Sequence, residues 1–189
     1  MPRAIAHAKT EILAAARKVM AERGYAKLAM REVASACGLA TGTLYNYYKA
    51  KDAIVFELML ADWAAFLAAL DVRIAAARAE GGGRPADPKP LLRFAFEELR
   101  VYFGTYKDVW TQMAATPYEG RSDVVRAYEP GPFVRDVAAR LGGALPPPGP
   151  GSLDRATALD VIVHLFSTYA SLPGYGFEFL EPAVERLLA

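Results

Sequence analysis

Apolar residues recur three and four apart along most of the chain, the spacing of helices that each bury one side. Ile12, Leu13, Ala16, Val19 and Met20 predict a first helix over residues 10–23, stopped by Gly24. Val33, Ala34 and Cys37 share a face of a short second helix, Met30 to Cys37. Leu39 and Leu44 supply the apolar side of a third, from Ala40 or Thr41 to Tyr47. Gly38 stands between these two, where a tight corner needs a residue that tolerates a left-handed backbone. Lys51 to about Glu80 then reads as one long helix. Ile54, Leu58, Ala61, Ala65, Ala68 and Val72 form its stripe, flanked by Phe56, Leu60, Trp63, Leu67, Leu70 and Ile74. About 30 residues at 1.5 Å each span roughly 45 Å, long enough to join a small head to a larger body and to transmit a pivot between them.

Beyond a loop at Gly81 to Lys89, helical spacing resumes from Pro90 to around Met113, with Gly104 as the point where it would break. Shorter helices are expected over 123–128 and from Pro132 to Leu141. After the Pro/Gly-rich loop Gly142 to Gly151 comes the most apolar of the later helices, Leu153 to Leu172. A last helix covers Phe177 to Leu188, its regular part expected to begin near Pro182 because proline suits a first turn. Met1 to Ala8 is expected to be a disordered tail. No period-2 pattern and no internal repeat interrupts this series, so the expected class is all-α.

Charge changes the picture once it is divided along the chain. The net value is +1 over 189 residues. Residues 1–52 carry nine Lys or Arg against four Asp or Glu, a balance of +5, and residues 53–189 carry thirteen against seventeen, a balance of −4. A basic head on a mildly acidic body suits a polyanion held at one end only, although a Lys/Arg-rich bundle that is merely soluble has the same balance. The single cysteine excludes an intrachain disulfide, and Cys37 reads as a packing residue. With one cysteine, two histidines far apart in sequence and no paired metal-ligand spacing, neither catalysis, nor a metal, nor a cofactor is expected. No uninterrupted apolar run reaches about 18 residues and the first dozen lack a signal-peptide core, so a cytoplasmic location is expected.

The third helix carries the candidate chemistry. Its polar side presents Thr41, Thr43 and Asn46, short groups that reach base edges or thymine methyls in a major groove. Tyr45, Tyr47, Lys49 and Lys51, with Arg31 on the preceding helix, are donors suited to phosphates, and Gly42 removes a side chain where the backbone would come close to a partner. The competing reading is a surface helix whose aromatic residues pack on a neighbour.

From about Thr10 to Leu58 the order of residues resembles the DNA-binding domain of TetR-family transcriptional regulators. The resemblance rests on Ala15 and Ala16, Gly24-Tyr25, Val33-Ala34, Gly38-Leu39, Gly42-Thr43-Leu44-Tyr45, Tyr47-Tyr48 and Lys51. It implies a three-helix helix-turn-helix domain, residues 1–52, joined by the long helix to an α-helical ligand-binding and dimerisation domain, residues 53–189. It also implies a homodimer through the last two helices, holding two recognition helices over a pseudo-palindromic double-stranded operator, and release by a small-molecule effector, most often relieving repression. The chain departs from the family where Ser or Thr usually precedes the second, third and fourth helices. Ala29, Ala40 and Ala50 stand there, and each lost cap costs roughly 0.5–2 kcal/mol, so frayed helix starts and fewer phosphate contacts are expected.

For the effector, the aromatic middle helices offer Phe94, Tyr102, Tyr106, Trp110, Met113 and Tyr128 as walls, and His164 as a polar tip, a lining suited to a flat or greasy molecule. The same residues at helical spacing also describe an ordinary core, and His164 also describes a satisfied core or interface histidine. The functional expectation is therefore a ligand-responsive DNA-binding regulator. The alternative is a small-molecule-binding or interaction module that grips DNA weakly.

Overall fold

The computed structural model describes residues 2–81, 87–115, 130–145 and 153–188, and every regular element among them is helical. The helices are α1 (Pro2–Arg23), α2 (Met30–Ala36), α3 (Thr41–Tyr47), α4 (Lys51–Glu80), α5 (Lys89–Thr105), α6 (Lys107–Ala115), α7 (Pro130–Gly142), α8 (Arg155–Ala170) and α9 (Phe177–Leu188), with a 3-10 turn at Tyr25–Lys27. Contacts group the chain into two compact units, residues 1–62 with 108–128, and residues 63–107 with 129–189.

In the first unit, α1 contributes Ile12, Ala16, Val19 and Met20, α2 contributes Val33 and Ala34, and α3 contributes Leu44 to a closed core completed by Ile54, Val55 and Leu58 of α4. The first helix starts eight residues earlier than its periodicity suggests. Pro2 suits a first helical position, Ala4, Ala6 and Ala8 are strong helix formers, and no breaker intervenes before Gly24. Side-chain pairs reinforce this extension: His7 lies 3.4 Å from Glu11 one turn on, and Lys9 pairs with Glu57 at 3.3 Å. Gly24, at φ +76°, ends α1 with its amide on the Met20 carbonyl.

The stripe expected on α4 is correct in its first third and misplaced after that. Ile54 and Leu58 are buried, but Leu60 and Val72 are 52% and 68% exposed, and Ala61, Ala65 and Ala68 also face out. The side that packs carries Trp63, Phe66, Leu67, Leu70 and Ile74, because large side chains fill the second unit's core better than a row of alanines does. An 18-residue window of α4 reaches a mean hydropathy of 1.9, yet half of it is buried within the fold. Its carboxylates Glu57 and Asp62 are paired with Lys9 and Arg17, which is how a core helix is built.

The second unit is closed by aromatic packing. Phe96 of α5, Phe166 of α8 and Phe177 of α9 meet with ring centroids 5.5, 5.9 and 6.2 Å apart. The region expected to be one helix from Pro90 breaks at Tyr106, two residues after Gly104, into α5 and α6. Asp154 starts α8 by accepting the Ala156 and Thr157 amides, each at 3.1 Å. Pro182 lies inside α9 instead of opening it. The turn before it holds because Phe177 and Leu180 are buried and Glu178 pairs with Arg93, contacts that offset the hydrogen bond proline cannot donate. The helix expected over 123–128 lies outside the described residues.

Neither Ala29 nor Ala40 gives its helix a side-chain cap, although both have the extended backbone of an N-cap, at φ −121°, ψ 139° and φ −66°, ψ 142°. Replacing Ala29 or Ala40 with Ser supplies the missing acceptor without changing backbone shape. Each single variant is expected to gain about 1 kcal/mol in urea unfolding, read as a higher midpoint at unchanged slope.

Candidate nucleic-acid interface

The site is built on the corner between α2 and α3. Gly38 has φ +67°, its amide donates to the Ser35 carbonyl at 3.2 Å, and the Leu39 amide donates to the Ala34 carbonyl at 2.8 Å. These two bonds satisfy the end of α2 and turn the chain within two residues, a closure that requires a left-handed residue. Cys37 sits inside this corner, its thiol donating to the Val33 carbonyl at 3.0 Å, and burial pushes its pKa up, which fits a packing role.

The corner settles which side of α3 is free. Leu44 is fully buried, and Thr41, Gly42, Thr43, Tyr45 and Asn46 are all exposed, Tyr45 by 43%. The reading of this helix as an aromatic surface packed on its neighbour holds for Tyr48, which is 4% exposed, and partly for Tyr47, which is half-buried. Around Gly42 no atom of the described chain would come within 4 Å of an added Cβ, so nothing in the fold itself requires glycine there.

The cations at the edge of this face are held in different ways. Arg31 and Lys49 are exposed, and the Lys49 ammonium donates to the Tyr45 carbonyl at 3.1 Å, a cation at the C-terminal end of α3 where the helix dipole favours one. Lys51 is half-buried. Its ammonium donates to the Tyr25 carbonyl at 3.1 Å and lies 4.3 Å from the centroid of the Tyr25 ring. Tyr25 in turn donates its hydroxyl to Asp52 at 2.7 Å. A second tyrosine also sits under a cation: Lys9 lies 5.2 Å from the Tyr48 ring centroid and pairs with Glu57. Burial raises the pKa of both phenols, with the neighbouring carboxylates Asp52 and Glu57 adding to the shift. Sequence reading found Lys51 but not Tyr25, whose role depends on a fold that brings residues 26 positions apart together.

The described residues expected to line an effector chamber differ in burial. Tyr102 and Tyr106 are 5% and 0% exposed and belong to the packed core, their ring centroids 5.2 Å apart, with Trp63 5.2 Å from Tyr102. Phe94 is half-buried under the Arg73 guanidinium, 4.9 Å from its ring. Trp110 is half-buried on α6, in the first unit. His164 is neither a core histidine nor an inward-facing donor. It points outward from α8, its side chain 63% exposed and Nδ1 2.7 Å from the Asp160 carbonyl, because the buried side of that helix is taken by Ile162, Val163 and Phe166. Tyr128 and the Met113 side chain lie outside the described residues. No group of three or more potential metal ligands occurs among the described residues.

A short helix pair hinged at a left-handed glycine, with the second helix presenting hydroxyls and an amide outward above a basic rim, defines a helix-turn-helix protein. Comparison with known proteins narrows this. Residues 12–58 match the model of the bacterial regulatory proteins, tetR family. It is 33% identical over 54 residues to the HTH-type transcriptional regulator UidR of Escherichia coli strain K12, a stretch that is 29% of this chain and 28% of UidR; the UidR of Shigella flexneri matches equally. The alignment thus spans under a third of those relatives' length. The fold is similar over nearly the whole chain to the multidrug binding protein EbrR, crystallised with imidazole, at TM-score 0.60 and 18% identity, covering 96% of this chain and 94% of that one. It is also similar to SCO7518 of Streptomyces coelicolor A3(2), at TM-score 0.58 and 18% identity over 95% and 97% of the two chains. The fatty acid degradation regulator FadR of Bacillus halodurans compares at TM-score 0.58 and 17% identity, over 96% and 94%.

Tyr25→Phe removes the bond to Asp52 and keeps the ring under Lys51. It is expected to cost about 1 kcal/mol of stability near neutral pH. Because the folded phenol holds its proton more tightly than the unfolded one, that phenol's contribution is complete below about pH 10 and is lost as pH rises further. Unfolding midpoints followed above pH 10 should fall less steeply for Tyr25→Phe than for the parent chain.

Proposed function

We propose that this protein is a DNA-binding transcriptional regulator, acting as a homodimer on a pseudo-palindromic operator. The observation that carries this reading is the outward face of α3. Leu44 is sealed in the core while Thr41, Thr43, Tyr45 and Asn46 stand exposed beside an open Gly42, a surface that a major groove fits and the protein itself does not use. In this reading Thr43 and Asn46 read base edges. Tyr45, Tyr47, Lys49 and Arg31 hold phosphates, and Thr41 and Gly42 allow the helix start to approach the backbone. Lys51, pinned over Tyr25, offers its remaining donors in a fixed direction.

A homodimer through the last two helices is supported by apolar surface left uncovered on them and on the turn that joins them. Val161, Leu172, Tyr175 and Phe179 are 37–56% exposed, and Tyr169, Tyr175 and Phe179 stack with centroids 4.8–5.2 Å apart. Two-fold pairing would set two copies of α3 over half-sites about 34–36 Å apart. Residues 1–52 form the DNA-binding part in this proposal and 53–189 the ligand-binding and dimerisation part, in the cytoplasm where the operator is. A small hydrophobic or aromatic effector bound in the body would favour one spacing of the heads, with a coupling of about 1–3 kcal/mol, and release a repressor from its site. The second reading, a binding module with weak DNA affinity, draws on the absent side-chain caps at Ala29 and Ala40.

Gel-shift titrations of the purified chain on its own upstream DNA separate the two. A regulator gives a shift that weakens steeply between about 50 and 200 mM salt. Lys49→Ala should weaken binding to all sequences and flatten the salt slope by about one, whereas Thr43→Ala or Asn46→Ala should relax preference at particular base pairs by about 1–3 kcal/mol. Identical losses on every sequence for all three variants would refute this division of roles.

A further inference from the structure

A groove of about 340 Å³ runs between α7 and α8, well away in sequence from the recognition helix and from the aromatic residues of α5. Its floor is made of small and apolar residues, Ala138, Ala139, Gly142 and Leu159, so the two helices leave space where larger side chains would have interlocked. Arg135 and Arg155 stand on its walls. Elsewhere the arginines Arg17, Arg23, Arg93, Arg100 and Arg140 each meet a carboxylate. Among the described residues, Arg135 and Arg155 meet none, and neither do Arg73, which lies over the Phe94 ring, and Arg78, which donates to the Gly143 carbonyl. Arg155 is half-buried, its Nη1 donates to the Gly142 carbonyl at 3.3 Å, and its Nε is buried with no hydrogen-bond partner. The one carboxylate on the groove, Asp160, lies beside His164 at 3.6 Å.

We propose that this groove binds a small amphiphilic carboxylate, its head held by Arg135 and Arg155 and its hydrocarbon body laid on the Ala139–Leu159 floor. A groove of this volume is of the size that takes a small ligand, and guanidinium forks match a carboxylate in shape as well as charge. Charge argues against the other occupants. A second copy placed symmetrically here would bring the same two unpaired cations toward themselves. A nucleic acid backbone would meet an apolar floor with two arginines and the Asp160 carboxylate instead of a continuous basic surface. The site is separate from the DNA reading and stands or falls without it.

The test is a titration of the 189-residue chain with decanoate, followed by backbone amide shifts, with 1-decanol as the uncharged match. Saturable shifts at Ala139, Ala156 and Leu159 are expected, with 1-decanol binding at least about tenfold more weakly. Arg135→Gln, at an exposed residue, should weaken decanoate by about tenfold and leave 1-decanol unchanged. Ala139→Trp should abolish both by filling the floor, and Arg155→Gln should act like Arg135→Gln if its fold survives the loss of the Gly142 bond. The proposal is overturned by equal affinity for decanoate and 1-decanol, by Arg135→Gln binding decanoate as the parent does, or by shifts confined to the α5 aromatic residues. It is also overturned if the groove amides become protected from exchange as protein concentration rises, which would mean that a second copy covers them.

Discussion

The corner at Gly38 is the constraint on which the reading of this protein depends. A helix that ended in the ordinary way would let the chain leave α2 in many directions. Two backbone bonds to carbonyls of α2, from Gly38 and from Leu39, leave one direction. Leu44 then has a single place to go, into the gap among α1, α2 and the start of α4, and the side of α3 opposite Leu44 is turned to solvent. The hydroxyls and the amide on that side are exposed, which is what the proposed role in DNA binding needs.

The head lacks side-chain caps at two helix starts, and its longer-range contacts lie elsewhere. Where Ser or Thr would have held the starts of α2 and α3, alanines leave the first amides without a side-chain acceptor. Long-range contacts instead join α1, the 3-10 turn and the residue after α3 to the start of α4. Lys51 lies over the Tyr25 ring while Asp52 accepts its hydroxyl, and Lys9, paired with Glu57, lies over the Tyr48 ring. The Tyr25 clasp combines a cation over a ring with a carboxylate beside the phenol, so burial of the tyrosine and neutralisation of the charges support one another. The consequence for the interface is that Lys51 is a positioned cation, whereas Lys49 and Arg31 are exposed ones.

The second unit shows why an aromatic-rich helix is a poor guide to a ligand chamber. Tyr102, Tyr106, Phe96 and Phe166 come at the spacing of a lining, and they are the packing itself. Space in this unit is found where side chains are small, between α7 and α8, and two arginines, Arg135 and Arg155, stand on its walls. Apolar surface without cover is found on α8 and α9, which is where a partner copy is proposed.

Much of this could be read from the chain alone. The bounds of α2, α3 and α4, the left-handed glycine and the outward residues of α3 all follow from local rules, three-and-four spacing and the φ that only glycine takes without strain. The inner side of α4 beyond Leu58 could not be read so, because alanines and bulky residues both recur at helical period there, and which stripe is buried depends on what α5 offers opposite. The same holds for Pro182, kept inside α9 by Phe177, Leu180 and the Arg93–Glu178 pair, and for His164, turned outward once Phe166 and its neighbours have taken the inner side. The Tyr25–Lys51–Asp52 clasp and the α7–α8 groove exist only when residues tens of positions apart are brought together. Local backbone preference is written in neighbouring residues, while burial and the pairing of charges are properties of the assembled fold.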